Sequence, residues 1–195
     1  MGRPKALLDF HGTPLLRHMV DVALRVCPLV VVAVSPGQEL PPLPPEVVVI
    51  EDPPDRVGSG PLGGVLTGLI ALQQARVELA YIGAVDVPWL DETHIRFMLD
   101  ELARDTKHPA IVPETGPLDD GTRHLHPLSG AVRVAVACDT TQALFASGQR
   151  AMRSLYIGLN ARRVAVSALP NPQAVIGCDT PEQWEAALAA LESKP

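Results

Sequence analysis

Aromatic residues make up only 4% of this 195-residue chain, too few for a platform that stacks single-stranded bases. Basic residues are in the minority as well. Sixteen Lys and Arg stand against 22 Asp and Glu, a formal net charge of −6, which excludes a polyanion-coating protein and leaves no nucleic-acid partner to expect. A small phosphate-bearing ligand held by one or two local cations stays compatible with that balance. Cysteine is scarce: Cys27, Cys138 and Cys178 are widely spaced and never form Cys-x-x-Cys. They read as buried thiols in a reducing compartment, with no zinc site. No apolar run approaches the roughly 18 residues of a spanning helix, and no signal-peptide pattern opens the chain. The expectation is a cytoplasmic protein with no membrane attachment. Also missing are Gly-x-Ser-x-Gly, Gly-x-Gly-x-x-Gly and the ATPase P-loop pattern, so a hydrolase elbow, a dinucleotide fingerprint and a Walker motif are unsupported.

What is present is an alternation of two apolar rhythms. Leu29 to Val34, Val47 to Ile50 and Leu79 to Val85 are short continuous runs rich in β-branched residues. Runs of this kind read as strands buried on both faces of a parallel sheet. Between and after them, Leu15, Met19, Val22 and Val26, then Val65 to Ala71, then Ile95, Met98, Leu99 and Leu102 keep helical spacing. Asp91 and Glu92 suit the start of that last helix. Strand and helix alternating predict βαβ units in a three-layer α/β/α domain with a mostly parallel sheet. Farther on, Ala110 to Val112, Leu128 to Val132 and Val164 to Leu169 read as strands. Val134 to Ala146, Arg150 to Gly158 and Pro181 to Leu191 read as helices, the last capped by Thr180. Twenty prolines, clustered at 41–45 and 53–54, read as stiff surface connections. No repeat or low-complexity tail divides the chain, so residues 1–195 form one domain.

In an open α/β sheet, ligands sit beyond the carboxyl ends of the strands. Asp52 and Asp86 follow two of the predicted strands. Each carboxylate either serves a cation or ligand or caps the next helix, and Pro88 holds Val87 extended, which disfavours capping for Asp86. Gly58-Ser-Gly-Pro-Leu-Gly-Gly64 links a strand to a helix; it reads equally as a tight turn or as a backbone platform against a nucleotide. Arg3 and Lys5 offer positive charge for phosphate, or form a solvated terminus. The six histidines make no ligand cluster, and His126-Pro127-Leu128 reads as the entry into a strand.

Taken in order, Met1-Gly-Arg-Pro-Lys-Ala-Leu-Leu8, Gly12-Thr-Pro-Leu-Leu16, Glu51-Asp52, Gly60-Pro-Leu-Gly-Gly-Val-Leu-Thr-Gly-Leu69, Val85-Asp-Val-Pro-Trp-Leu90, His126-Pro-Leu128 and Asp179-Thr-Pro-Glu182 resemble the molybdenum cofactor guanylyltransferase family. The resemblance implies a Rossmann-like nucleotidyltransferase fold of the nucleotide-diphospho-sugar transferase type, with 1–90 as nucleotide-binding half and 91–195 as acceptor-binding half. It implies transfer of GMP from GTP to molybdopterin, dependent on Mg2+ and releasing pyrophosphate. Lys5 and Asp86 take the catalytic roles, with Asp86 as magnesium ligand. Arg3, Lys5, Asp52, Asp86 and the loop residues Gly60, Pro61, Leu62 and Gly63 take the nucleotide, and His126 and Asp179 take the acceptor. The chain departs from the family pattern at three places. The strand and Leu-Ala-Gly-Gly-x-Ser-x-Arg portion of the signature are absent ahead of Met1, Ala33 stands where Asn is frequent, and Gly177-Cys-Asp179 replaces Asn-x-Asn. Two explanations compete for the first departure, a start codon assigned inside the signature and a true remnant. The former is expected, and either way these residues alone are expected to bind GTP poorly. A cytidylyltransferase, another nucleotidyltransferase, or a non-catalytic member that docks on cofactor-synthesis proteins or molybdoenzymes remain the alternatives.

Overall fold

A computed structural model describes residues 4–117 and 121–192. The chain opens with a 3-10 turn, Lys5–Leu7, and a small hairpin of β1 (Asp9–Phe10) and β2 (Thr13–Pro14) that leads into α1 (Leu15–Leu24). Next come β3 (Val30–Val34), β4 (Val47–Glu51), α2 (Pro61–Gln74), β5 (Leu79–Gly83) and α3 (Glu92–Arg104). The second half contains β6 (Ala110–Thr115), β7 (His124–Leu125), β8 (Ser129–Arg133), α4 (Val134–Ala146), α5 (Met152–Gly158), β9 (Arg162–Ala165) and α6 (Pro181–Glu192). Two 3-10 turns, Val166–Ala168 and Pro172–Val175, lie between β9 and α6.

The three layers follow from the helix faces. Met98 and Leu102 of α3, both without exposure, pack on Ile111, Ala131 and Val164 on one side of the sheet. Leu15, Met19 and Val22 of α1 meet Ile95, Val87 and Leu90 beside them. On the other side Leu62, Leu66 and Leu69 of α2 join Ala137 and Cys138 of α4 and Leu155 of α5 over Ala80, Ile82, Val112 and Val132. The α4 contacts Val134, Ala137, Cys138 and Thr141 keep one helical face toward that core.

The sheet is not mostly parallel. Among the described strands, β3 pairs parallel with β4, and β6 with β9, whereas β1/β2, β5/β8, β6/β7 and β6/β8 are antiparallel. The reason is a short connection. Only residues 116–123 separate β6 from β7, fewer than the dozen or so a parallel crossover requires. The chain therefore turns back along β6, and β8 enters antiparallel between β5 and β6. The reading of strands buried on both faces also fails for β4, where Val48 is 41% and Val49 43% exposed. Among the described strands β4 has β3 as its one neighbour, so packing covers it incompletely. The predicted late strand at 164–169 sits earlier, at Arg162–Ala165, and closes in a 3-10 turn.

β3–β4 shares no ladder with the five-stranded sheet among the described residues. Helix α2 joins the two: Gly64 lies against Ala33 and Asp52, while Leu62, Leu66 and Leu69 cover β5. Val85, just past β5, and Val30 and Val32 of β3 pack against the same buried cluster of Ala6, Leu16 and Val20. Through these contacts the loops after β4 and β5 are held on one framework.

Candidate active site

Lys5 begins the first 3-10 turn, and the next residue, Ala6, is buried with Leu16 and Val20 of α1. That apolar anchor fixes where the lysine side chain starts. Asp86 lies on the loop leaving β5, between the exposed Gly83 and the buried Val87 and Leu90. Asp179 lies just before α6. There Thr180 and Gln183 form a capping box: the Gln183 amide donates to Thr180 Oγ1 at 3.3 Å, and Gln183 Oε1 accepts from the Thr180 amide at 3.1 Å. The same Oε1 accepts from the Asp179 amide at 2.7 Å, so the glutamine shapes the turn that presents the carboxylate.

These three side chains converge. Lys5 Nζ donates to Asp86 Oδ2 at 2.8 Å and to Asp179 Oδ1 at 2.6 Å. Their side chains are 30%, 27% and 75% exposed, so the cluster opens to solvent on the Asp179 side. Burial works against the lysine charge, but the hydrogen bonds from Asp179 and Asp86 outweigh it and raise the Lys5 pKa above its ordinary value. One ammonium between two carboxylates leaves a local charge of −1. Backbone contact locks the pair of loops: Cys178 N donates to the Asp86 carbonyl at 2.8 Å. Gly177 lies beside Asp86, where an added Cβ would make ordinary van der Waals contact with Asp86 Cγ at 3.7 Å.

Asp52 and the glycine loop form a second group at the start of α2. Gly60 takes φ 75° as the residue preceding Pro61, a left-handed conformation that glycine adopts without steric cost. Gly63 has no room for a side chain, since a Cβ would run into Ser59 Oγ. Asp52 N donates to the Val34 carbonyl at 2.7 Å, and Asp52 Oδ1 accepts from Thr67 Oγ1 at 2.6 Å. Arg56 Nη1 donates to the same hydroxyl at 3.3 Å. Sequence reasoning missed Thr67 and Arg56, because a lone Thr inside an apolar helix carries no signal.

His126 is placed apart from these groups. Its Nε2 is 2.8 Å from Thr115 Oγ1, its ring packs edge-on against His124, and burial lowers its pKa. The structure does not bring it to Asp179, its partner in the expected acceptor set, among the contacts of the described residues. Arg3 lies outside the described residues. Asn171 and Gln183 were also missed, although Thr180-x-x-Gln183 spells a capping box in the sequence.

Among the described residues, no three His, Cys, Asp or Glu side chains gather around one point, and no helix is long and apolar enough to cross a membrane. The oxygen donors Asp86 and Asp179 nevertheless meet at one ammonium, and a hard cation that keeps several waters and phosphate oxygens needs just one or two protein carboxylates. The residues present fit magnesium.

Residues 1–165 match the model of the MobA-like NTP transferase domain. Proteins from Mycobacterium tuberculosis and Mycobacterium bovis described as probable molybdenum cofactor guanylyltransferase are 34% identical over 191 residues, covering 94% of this chain and 87% of theirs. A similarly described protein from Mycobacterium marinum is 31% identical over 172 residues, covering 86% of this chain and 78% of its own. Among solved structures, 2-C-methyl-D-erythritol 4-phosphate cytidylyltransferase from Thermus thermophilus superposes with a TM-score of 0.75 at 20% identity, covering 97% and 94% of the two chains. Molybdopterin-guanine dinucleotide biosynthesis protein A from Archaeoglobus fulgidus superposes with a TM-score of 0.72 at 16% identity, covering 99% and 93%. These similarities match the α/β fold read from the strand and helix pattern and the nucleotide-diphospho-sugar transferase type that the resemblance implies. The chain belongs to the MobA-like NTP transferase family and is a nucleotidyltransferase.

Proposed function

We propose that this protein transfers GMP from GTP to the terminal phosphate of molybdopterin, with magnesium, releasing pyrophosphate. The observation that carries this reading is the convergence of Lys5, Asp86 and Asp179 at 2.8 and 2.6 Å. The names of the mycobacterial relatives, which align along nearly the whole chain, supply the acceptor and the base.

The chemistry joins two anions. An acceptor phosphate oxygen attacks the α-phosphorus of GTP, the bond to the bridging oxygen breaks, and pyrophosphate leaves with that electron pair. Positioning and charge neutralisation supply the rate in such a displacement, and no covalent enzyme intermediate is required. Bound at Asp86 and Asp179, magnesium would supply Lewis-acid neutralisation of phosphate charge. Lys5 gives a mobile ammonium that can follow the triphosphate as the bond breaks. The first turn of α2, entered through Gly60, Pro61, Leu62 and Gly63, offers the positive end of a helix dipole and a close approach to the nucleotide. Asp52, fixed by Thr67, borders that platform. In this reading residues 1–90 take the nucleotide and 91–195 the acceptor, with Asp179 reaching across to Lys5.

The test is pyrophosphate release from GTP with magnesium and molybdopterin, with CTP as competitor. Asp86→Asn removes the carboxylate charge at constant shape and is expected to abolish turnover while thermal unfolding stays cooperative. Retained turnover in that variant excludes the metal role, and preference for CTP excludes guanylyl transfer.

A further inference from the structure

Two loops meet at the carboxylate pair, and besides the Cys178 amide bond to the Asp86 carbonyl an amide side chain ties them together. Asn171 Nδ2 donates to the Trp89 carbonyl at 3.0 Å and to Asp91 Oδ2 at 2.8 Å. Its Oδ1 accepts from the Gln173 amide at 3.0 Å, capping the turn Pro172–Val175. The Asp91 end of this contact is rigid, because Asp91 Oδ1 caps α3 by accepting from the His94 amide at 2.8 Å. Ala174 and Val175, the last residues of that turn, sink into the core, and the segment then returns to Asp86 through the Cys178 amide. Burial of Ala174 and Val175 is non-directional, and the bond that Ser129 Oγ donates to the Ala174 carbonyl at 3.4 Å ties the segment to β8, not to the 86–91 loop. The bonds of Asn171 select its position along the 86–91 loop.

We infer that Asn171 is a positioning residue for the transferase centre: it registers segment 171–180 on the loop 86–91, so that Asp179 is delivered to Lys5 and Asp86. The kinetic part of this inference rests on the transferase reading above; the structural part does not. Asn is the fitting chemistry, since a single side chain donates twice and accepts once. Asp at this position keeps the cap on Gln173, loses both donors, and sets a second carboxylate against Asp91.

Asn171→Asp therefore isolates the strap from the cap. Exchange of the Cys178 amide in that variant is expected to accelerate roughly tenfold or more, as one local closing contact is lost. Turnover falls by a similar factor and the magnesium concentration for half-maximal rate rises, while KM for GTP stays within about twofold. The exchanged pair Asn171→Asp with Asp91→Asn restores a donor facing a carboxylate and keeps an effective N-cap at position 91. It is expected to recover much of the protection and of the turnover. A merely structural role lowers the melting temperature and leaves the magnesium requirement where it was. Unchanged Cys178 exchange in Asn171→Asp overturns the inference. So does faster exchange with wild-type turnover and wild-type magnesium dependence. A wild-type protein that transfers no nucleotide refutes the transferase reading, and the exchange of the single and paired variants then decides the strap by itself.

Discussion

Lys5 and Asp179 are 174 residues apart in sequence, and their charged atoms are 2.6 Å apart in the fold. The contact ties the opening 3-10 turn to the residues before α6, with Asp86 as the third corner. No local sequence pattern demands it. Three separately built pieces, each held by its own apolar anchors, deliver charge to one point.

Lys5→Met keeps the apolar stem and removes the ammonium. Asp86 and Asp179 then face each other uncompensated, and phosphate loses its cation. Turnover is expected to fall by about 10²–10³-fold, the scale seen when one preorganised electrostatic contact to a transition state is removed. Stability changes by no more than about 1 kcal/mol, since pairs open to water contribute little. Steady-state kinetics beside urea unfolding checks both halves. A large stability loss with intact turnover would place the lysine in the scaffold.

Thr67 is 5% exposed, and its hydroxyl donates to Asp52 while accepting from Arg56. Thr67→Val preserves shape and removes the bridge. Asp52 and Arg56 then lose a shared partner, and Arg56 Nε has no hydrogen bond to fall back on, only the Asp55 carboxylate at 3.9 Å. The expected cost is about 1.5–3 kcal/mol, as for a hydrogen bond to a charged group. Thr67→Ser, which restores the hydroxyl, recovers most of it in the same denaturant titration. If Thr67→Val unfolds like wild type, Asp52 is not held by this bond.

Acid sensitivity follows from three histidines. Burial is the first cause lowering the pKa of His18, His94 and His126 below the ordinary 6.5. A histidine depressed in the fold contributes stability above its unfolded value, and this is lost as pH falls through 6.5 toward the folded value. His94 is the most enclosed, with no exposure, its Nε2 3.2 Å from Ser129 Oγ and Asp91 nearby. Melting temperature is expected to drop between about pH 7 and about pH 5, and His94→Gln to flatten that drop. Asp91 acts in a lower window. Hydrogen bonds from Thr93, His94 and Asn171 outweigh burial and lower its pKa, so its contribution is present above 3.8 and lost as pH falls below. Equal slopes for wild type and His94→Gln would remove His94 from this account.

Much of the fold was legible because burial leaves periodic marks. Helix α4 lies at Val134–Ala146 as its spacing required, and Asp91 caps α3. The antiparallel entry of β8 was hidden because an apolar run carries no direction; only the short 116–123 connection betrays it. In the site, Lys5 and Asp86 stood out as charges beside strand or chain ends. Thr67 and Asn171 did not: Asn171 acts through bonds to Trp89 and Asp91 far back in the chain, and Thr67 through bonds to the loop that precedes its helix. Gln183 was readable from the Thr180-x-x-Gln183 spacing.

Gly130 carries the last prediction, because it sits on β8 directly across from Ile82 of β5, the strand that leads to Asp86. A Cβ there would lie 2.5 Å from Tyr156 Oη and 2.7 Å from the Ile111 carbonyl. The phenol is buried and its hydroxyl has no hydrogen-bond partner among the described residues. Gly130→Ala must therefore displace both a ring and a strand, at a cost of about 1–3 kcal/mol or more for overpacking. Tyr156→Phe deletes a buried, unpaired hydroxyl and is expected to be neutral or slightly stabilising. Combining the two removes the clash with the hydroxyl and leaves those with the ring carbon Cζ at 2.9 Å and with the backbone, so the double variant regains part of the loss. Denaturant unfolding of the four proteins measures the coupling. Strict additivity would mean that the ring moves aside freely and that Gly130 is dictated by the Ile111 carbonyl alone.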